Sequence, residues 1–401
     1  MHALRPALQS YDWGSPTLLP AFLGVPPTGR PVAEAWWGTH AAGPAICTVE
    51  GREVPLDEFI AADPQGTLGP DIARVFEGKL PFLLKVLAIE TPLSIQVHPS
   101  IEEARVGFAR EEASGIPRDS AIRVFKDENH KPEMVVALSP MLLLAGFRPA
   151  ALTRRDVMRL KHPDAPRLAS ALEGADQGAA IAEYVELALT GVDTPALVSE
   201  VVRVADEPGA GPSLLAAAAA AEHYPADGGV LVALAMNVVN LEPGEACFTP
   251  DGIVHSYQRG LGLEIMANSD NVIRAGLTPK HIDLDTLFEV ANMAPSAPVR
   301  PDAERDEDAT MLWPKAEEFL LTLVKRGPST FLAHPRIVLA LEGTTMVASD
   351  EETRELAAGE AVFVPFSDGD IAVATSGLAA VAGAPLGDSD SRLGRKTAEV
   401  K

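Results

Sequence analysis

The sequence predicts a mainly β protein carrying one α-helical insert, and changes of texture along its 401 residues are the observations behind that expectation. Short apolar runs broken by Gly, Pro and Asp fill residues 1–148, helical spacing governs 149–226, and β-like runs return from 227 to 386. The length exceeds what one hydrophobic core normally organises, so more than one globular unit is expected.

In the first stretch, the runs Leu80 to Ile89 and Met134 to Leu144 read as buried strands. From Pro149 to Glu222, LTRRDVMRLK, APRLASALEGADQGAAIAEYVELAL and TPALVSEVVRVA place apolar residues at helical intervals between Pro and Gly breaks. The alanine-rich run Leu214 to Ala221 reads as one more helix. After Asp227, VLVALAMNVVNLEPGEACFTPDGIVHSYQRGLGLEIM reads as strands separated by PGEA and PDG turns. This part, 227–312, is expected to complete a catalytic unit with residues 1–148. Residues 313–386 read as a separate small barrel or sandwich, and the polar residues 387–401 as a frayed tail. LEPGEACFTP and LAAGEAVFVP echo one another, which two homologous β-barrels or a common strand-turn phrase would each explain.

A formal net charge of −23 repels nucleic acid backbones and anionic lipid surfaces, so neither is an expected partner. An anionic small molecule would need a local cationic pocket. Cys47 and Cys247 are the only cysteines and stand far apart, which fits a reducing compartment and makes cytoplasm the expectation. The N-terminus lacks a secretory pattern, and no run approaches the roughly 20 apolar residues of a membrane span.

Four constellations carry chemistry. In Ser94-Ile95-Gln96-Val97-His98-Pro99, strand alternation puts Gln96 and His98 on one side and Ile95 and Val97 on the other. In Asn129-His130-Lys131-Pro132-Glu133, Glu133 is the charge nearest the apolar run that follows, where a carboxylate is costly unless paired or bound to metal. His255 follows the Pro250-Asp251-Gly252 turn at the mouth of a strand. Together Gln96, His98, Glu133 and His255 offer two imidazoles, a carboxylate and an amide, a set suited to zinc with room for a substrate oxygen. Alone, each has a plainer reading as a hydrogen-bonded polar face, a solvated loop or a core histidine. In the fourth, Glu264, Asp270, Arg274 and Lys280 punctuate a Gly- and Pro-containing loop that could hold an anion or move protons, an ordinary charged surface loop being the alternative.

The chain resembles the type I mannose-6-phosphate isomerase family, zinc-dependent enzymes built on cupin-like jelly rolls with a helical domain. The resemblance lies in YDWG at Tyr11 to Gly14, AEAWWGTH at Ala33 to His40, LPFLLKVLAIETPLSIQVHP at Leu80 to Pro99, NHKPEM at Asn129 to Met134, and the run from Glu264 through Lys280. It implies one zinc per chain held by Gln96, His98, Glu133 and His255, with Lys85, Ser94, Lys131, Glu264, Asp270 and Arg274 beside it and Trp13 and His130 near the rim. It also implies interconversion of mannose 6-phosphate and fructose 6-phosphate through a cis-enediol, with a base drawn from Glu264, His130 or a lysine, Arg274 sharing the developing charge, and Lys131 and Asp270 aiding ring opening. A monomer is expected. Where many members carry a lysine two residues after the His-Pro pair, this chain has Ser100-Ile101, so phosphate recognition would fall to Ser94, Lys131 or residues between Arg118 and Lys126. The second tryptophan of AEAWWG is another departure, read as a packing change.

Two other classes compete. A non-catalytic sugar-phosphate sensor would keep the pocket but could lose ligands or Arg274. A cupin oxygenase would use histidines and a carboxylate around iron, against which Gln96 speaks.

Overall fold

The computed structural model describes residues 1–385 and the short strand Arg395–Lys396; the rest of the expected tail lies outside the described residues. The architecture is mainly β-sheet with helices. The strand Phe82–Ile89 shows why its sequence is an almost unbroken apolar run: it is buried on both faces. Phe82, Leu84, Val86 and Ala88 enter one core with Trp37, Leu263 and Ile265. Leu87 and Ile89 enter another with Val135, Leu143 and Tyr257. Alternation cannot appear in sequence when both sides are dry. Trp37, the second tryptophan of AEAWWG, is fully buried in the first of these cores.

Phe82–Ile89 belongs to a ten-stranded sheet whose main path runs Met236–Leu241, Met141–Phe147, His255–Ala267, Phe82–Ile89, Glu34–Trp37, Ala7–Gln9. The long strand His255–Ala267 also pairs with Ile95–Val97 and Glu133–Ala137, which pair in turn with Ile273–Gly276 and Ala246–Thr249.

Helices follow the last strand of the first stretch: Ala150–Val157, Ala165–Ala171, Gln177–Thr190, Thr194–Ala205 and Pro212–Ala221. Asp176 and Asp193 cap two of them by accepting bonds from main-chain N–H groups of the first turn. Their apolar faces pack on Ile95, Val97, Ile273 and Ala275, the outward sides of two short strands. The helices thus brace the back of the strands that carry Gln96 and Arg274.

The structure corrects three expectations. Gly229–Leu234 is a helix rather than the start of a strand, because VLVAL is buried all round and shows no period that would distinguish the two. Helices Leu56–Ala62, Pro64–Leu68, Pro70–Val75 and Ile101–Ala113 interrupt the first stretch, which its punctuation had suggested was strands throughout. Ser100, one residue before the position where the resemblance places a lysine, caps the last of these through a reciprocal bond pattern with Glu103. Finally, the last β-rich segment does not stand apart: His2–Arg5, Ile46–Val49 and Arg52–Pro55 extend its nine-stranded sheet, with His2–Arg5 antiparallel to Ala361–Val364.

The two echoing phrases are both strand corners, each turning on a glycine, Gly244 and Gly359, at φ 86°. Among the described residues no helix is long and apolar enough to cross a membrane.

Candidate metal centre and active site

The inward face of the rolled sheet carries the polar residues. His255 stands opposite Gln96, and Gln96 opposite Arg274, so the three side chains form one row across neighbouring strands. Glu133 opens its strand between Thr249 and Met266, and Glu264 lies opposite both Lys85 and Val135. Glu264 and Arg274 therefore sit on strands and not on the loop that their spacing suggested; the irregular part is confined to residues 268–272. Ser94 lies two residues before Gln96 where the chain enters the same short strand.

His98, Glu133 and His255 are buried and bring one ligand atom each to within 4.8 Å of one another. Glu133 Oε1 is 3.4 Å from His98 Nε2, and its Oε2 is 3.2 Å from His255 Nε2. His98 Nδ1 donates to the Asn271 carbonyl at 2.7 Å and His255 Nδ1 to the Ile253 carbonyl at 2.9 Å. A carbonyl can only accept, so each Nδ1 holds the proton and each Nε2 presents a lone pair inward. Burial drives the His98 pKa down to about 4, keeping that lone pair free near neutrality. Among the described residues, His98 Nε2 and Glu133 Oε2 are buried with no hydrogen-bond partner, an arrangement that is costly in a dry site and fits a bound cation. The Gln96 amide lies 3.4 Å from His255 Nε2, at the edge of the same cluster.

Charges are balanced around this centre. Lys131 Nζ is 2.9 Å from Glu133 Oε1. Burial opposes ionisation of Glu133, but Lys131 and the two imidazoles hold its carboxyl well below the usual range. Lys85 Nζ lies 3.3 Å from Glu264, 3.9 Å from Glu34 and over the Trp36 ring. Burial would favour neutral Lys85, yet the surrounding carboxylates outweigh it and keep the ammonium charged. Glu264 is raised above the ordinary carboxyl value, first by burial and then by the charge of Glu133, with Lys85 and Lys131 pulling the other way.

His130 sits differently from its expected role. Its Nδ1 is 3.0 Å from Asp251 and its Nε2 2.6 Å from Glu318. Burial alone would lower its pKa, but the two carboxylates raise it to about 10. Both ring nitrogens are engaged, so this charged imidazolium clamps the loop at Asp251 to the following β-rich segment and is no free base. Asp270 is 3.3 Å from His40 Nε2, and that contact holds its carboxyl below the usual value. Trp13 stacks on Tyr11 and packs over the inner core of the sheet. His40, Lys126, Asn129 and Asp270 line a cleft of about 870 Å³.

Sequence reasoning missed Glu34, His40, Asn271, Asp251, Glu318 and Tyr257. Glu34 and Trp36 share a strand face, a period-of-two signal that their motif displayed. Asn271 is fully buried, and its side chain joins Lys126 and Asp127 to the main chain that holds His98. Tyr257, two residues from His255, places its buried ring 6.0 Å from that imidazole.

Residues 1–150 match the family model for the catalytic domain of type I phosphomannose isomerase. The mannose-6-phosphate isomerase of Salmonella typhimurium is 34% identical over 379 residues, covering 91% of this chain and 94% of that one. That of Escherichia coli is 34% identical over 388 residues, covering 93% and 97%. A solved structure of mannose 6-phosphate isomerase in its zinc-bound form superposes with a TM-score of 0.88 at 31% identity, over 96% of this chain and 99% of that chain.

Proposed function

The chain belongs to the type I mannose-6-phosphate isomerase family, and from that premise we propose how its own residues serve the reaction. It is a zinc-dependent isomerase interconverting mannose 6-phosphate and fructose 6-phosphate. The observation that carries this is the triad of His98, Glu133 and His255, with both Nδ1 protons tied to main-chain carbonyls and two inward atoms left without partners. The sensor alternative is not favoured, since the relatives that share nearly the whole chain are isomerases.

His98, Glu133, His255 and Gln96 would hold the zinc. When bound, the metal supplies a Lewis acid that polarises the sugar's carbonyl. Isomerisation moves a proton from C2 to C1 of the open-chain sugar, passing through a cis-enediol as one oxygen gains a proton and the other loses one. Glu264 is the residue best placed to carry the carbon-bound proton: it faces inward, is fully buried and has a raised pKa. Lys85 holds that carboxylate in place and Lys131 does the same for Glu133. Arg274, next in the row after Gln96, would donate to the oxygen where charge develops. Asp270 with His40, and Lys131, are the groups for opening the ring, while Ser94 and Trp13 would line the sugar's path.

A coupled assay for fructose 6-phosphate, run with a chelator and with zinc restored, tests the reading. Chelator-sensitive turnover restored by zinc is expected; no turnover by zinc-loaded protein would overturn it.

The sheets fit two cupin-like jelly rolls, a catalytic one from 1–148 and 227–312 and a second from 313–386 completed by the first strands, with 149–226 as the helical unit. A monomer acting in the cytoplasm on a sugar phosphate, with neither nucleic acid nor membrane as partner, completes this reading.

A further inference from the structure

Two members of the buried cluster stand where their strands stop. His98 follows Ile95–Val97, and Glu133 is the first residue of Glu133–Ala137, so the place of each depends on the loop beside it. His255 is fixed locally, because its Nδ1 proton goes to the Ile253 carbonyl two residues away. The Nδ1 proton of His98 goes instead to the Asn271 carbonyl, 173 residues along the chain. The tautomer and ring angle of His98 are therefore only as well fixed as that one peptide group.

Asn271 is fully buried, and both polar atoms of its side chain are engaged. Its Oδ1 accepts from the Lys126 and Asp127 main-chain N–H groups at 2.7 and 3.2 Å. Its Nδ2 donates to the Asn129 and Asp127 carbonyls at 2.8 and 2.9 Å and reaches the Asp127 carboxylate at 3.2 Å. With N–H groups on one side and carbonyls on the other, only one orientation of the amide satisfies them all. Asp127 reaches back across the gap: its Oδ2 accepts from the Asp270 main-chain N–H at 2.7 Å and its Oδ1 from Ser269 Oγ at 2.8 Å. Ser269 Oγ in turn accepts from the Asn271 main-chain N–H at 3.1 Å. Residues 126–129 and 269–271 are thus zipped side by side. The first segment runs through Lys131 into Glu133, and the second supplies the acceptor for His98. A simple loop anchor would need a bond or two; this buried and saturated one lies between the routes to two groups whose nearest atoms are 3.4 Å apart.

Resting on the reading of His98 and Glu133 as zinc ligands, we infer that Asn271 and Asp127 are positioning residues for the metal centre. They hold the His98 imidazole with Nε2 inward and fix its separation from Glu133, acting through the main chain and not on the metal.

The test measures zinc affinity by chelator competition in the full chain, together with the visible absorption of the cobalt(II)-loaded protein. Asn271→Ser and Asp127→Ala are each expected to weaken zinc binding by about 10–100-fold and to shift the cobalt spectrum. Asp127→Asn keeps one acceptor oxygen at a half-buried position, and should lose only a few-fold and return the spectrum toward that of the unaltered protein. Asp193→Ala removes a helix cap in the helical stretch, and should lower the thermal midpoint while leaving zinc affinity and the cobalt spectrum unchanged. Unchanged zinc affinity and cobalt spectrum in Asp127→Ala would overturn the inference. So would an equal fall in Asp193→Ala, since lost stability alone would then account for the effect. If Asn271→Ser does not fold, the two Asp127 variants decide. Should the unaltered protein bind zinc but not turn over mannose 6-phosphate, the isomerase reading fails and the zinc affinities still decide this one; should it bind no zinc, both fail.

Discussion

Glu133 takes a formal charge to a position only 2% exposed, where Lys131 and two imidazoles compensate it. Glu133→Gln should therefore do two things at once. Zinc affinity should fall by at least 100-fold, read by chelator competition, and the protein should lose about 3–5 kcal/mol of stability as Lys131 is left buried without its partner. Glu264→Gln should lower kcat by about 10²–10⁴-fold with a smaller change in KM. Because its folded pKa is raised above 4.5, the acid limb of the unaltered enzyme should lie above that pH, and a kcat profile against pH checks it. His130 gives the opposite sign. Its pKa rises from 6.5 to about 10 on folding, so its contribution is complete below pH 6.5 and is lost as pH rises toward 10. Thermal midpoints of the unaltered protein should decline across that window, and His130→Gln should start lower and decline less. That Gln96, His98 and Glu133 come together with His255 was legible because alternation puts Gln96 and His98 on one side and because Glu133 is the charge nearest an apolar run. The role of His130 was not, since its partners Asp251 and Glu318 lie 121 and 188 residues away.

Short strands gain their rigidity from what covers their backs. Ile95–Val97 and Ile273–Gly276 present Gln96 and Arg274 inward, while Ile95, Val97, Ile273 and Ala275 bury themselves among the helices. The two layers approach closely at Gly276, which has φ 127°, and a Cβ there would lie 2.3 Å from the Gly229 Cα. Gly276→Ala should cost about 2–4 kcal/mol in denaturant unfolding, because both the backbone conformation and the contact exclude a side chain. It should also raise KM if Arg274 is displaced with its strand. The alternation of Ile95 and Val97 with Gln96 and His98 was readable in the sequence; that a helix at Gly229–Leu234 presses on the neighbouring strand was not, because a run buried on every side looks alike in either conformation.

One core unites Leu4, Leu19, Trp37 and Cys47 with Phe319, Leu321, Ile337, Leu339 and Phe363, joining the two ends of the described chain. A polypeptide ended after residue 312 would leave His2–Arg5 without Ala361–Val364 and His130 without Glu318, and so should fail to give a soluble, cooperatively unfolding protein. Recovery of such a fragment with zinc bound would contradict that expectation. The mainly β texture and the helical stretch were evident from spacing and punctuation, but pairing between opposite ends of a sequence leaves no local trace. That pairing also bears on how the protein is made. His2–Arg5 leaves the ribosome well before Ala361–Val364 and must wait for it, at 5–20 residues per second a delay of roughly 20–70 s. During that interval its unpaired main chain is an open edge, so nascent chains should depend on chaperones that shield it until Ala361–Val364 has been made.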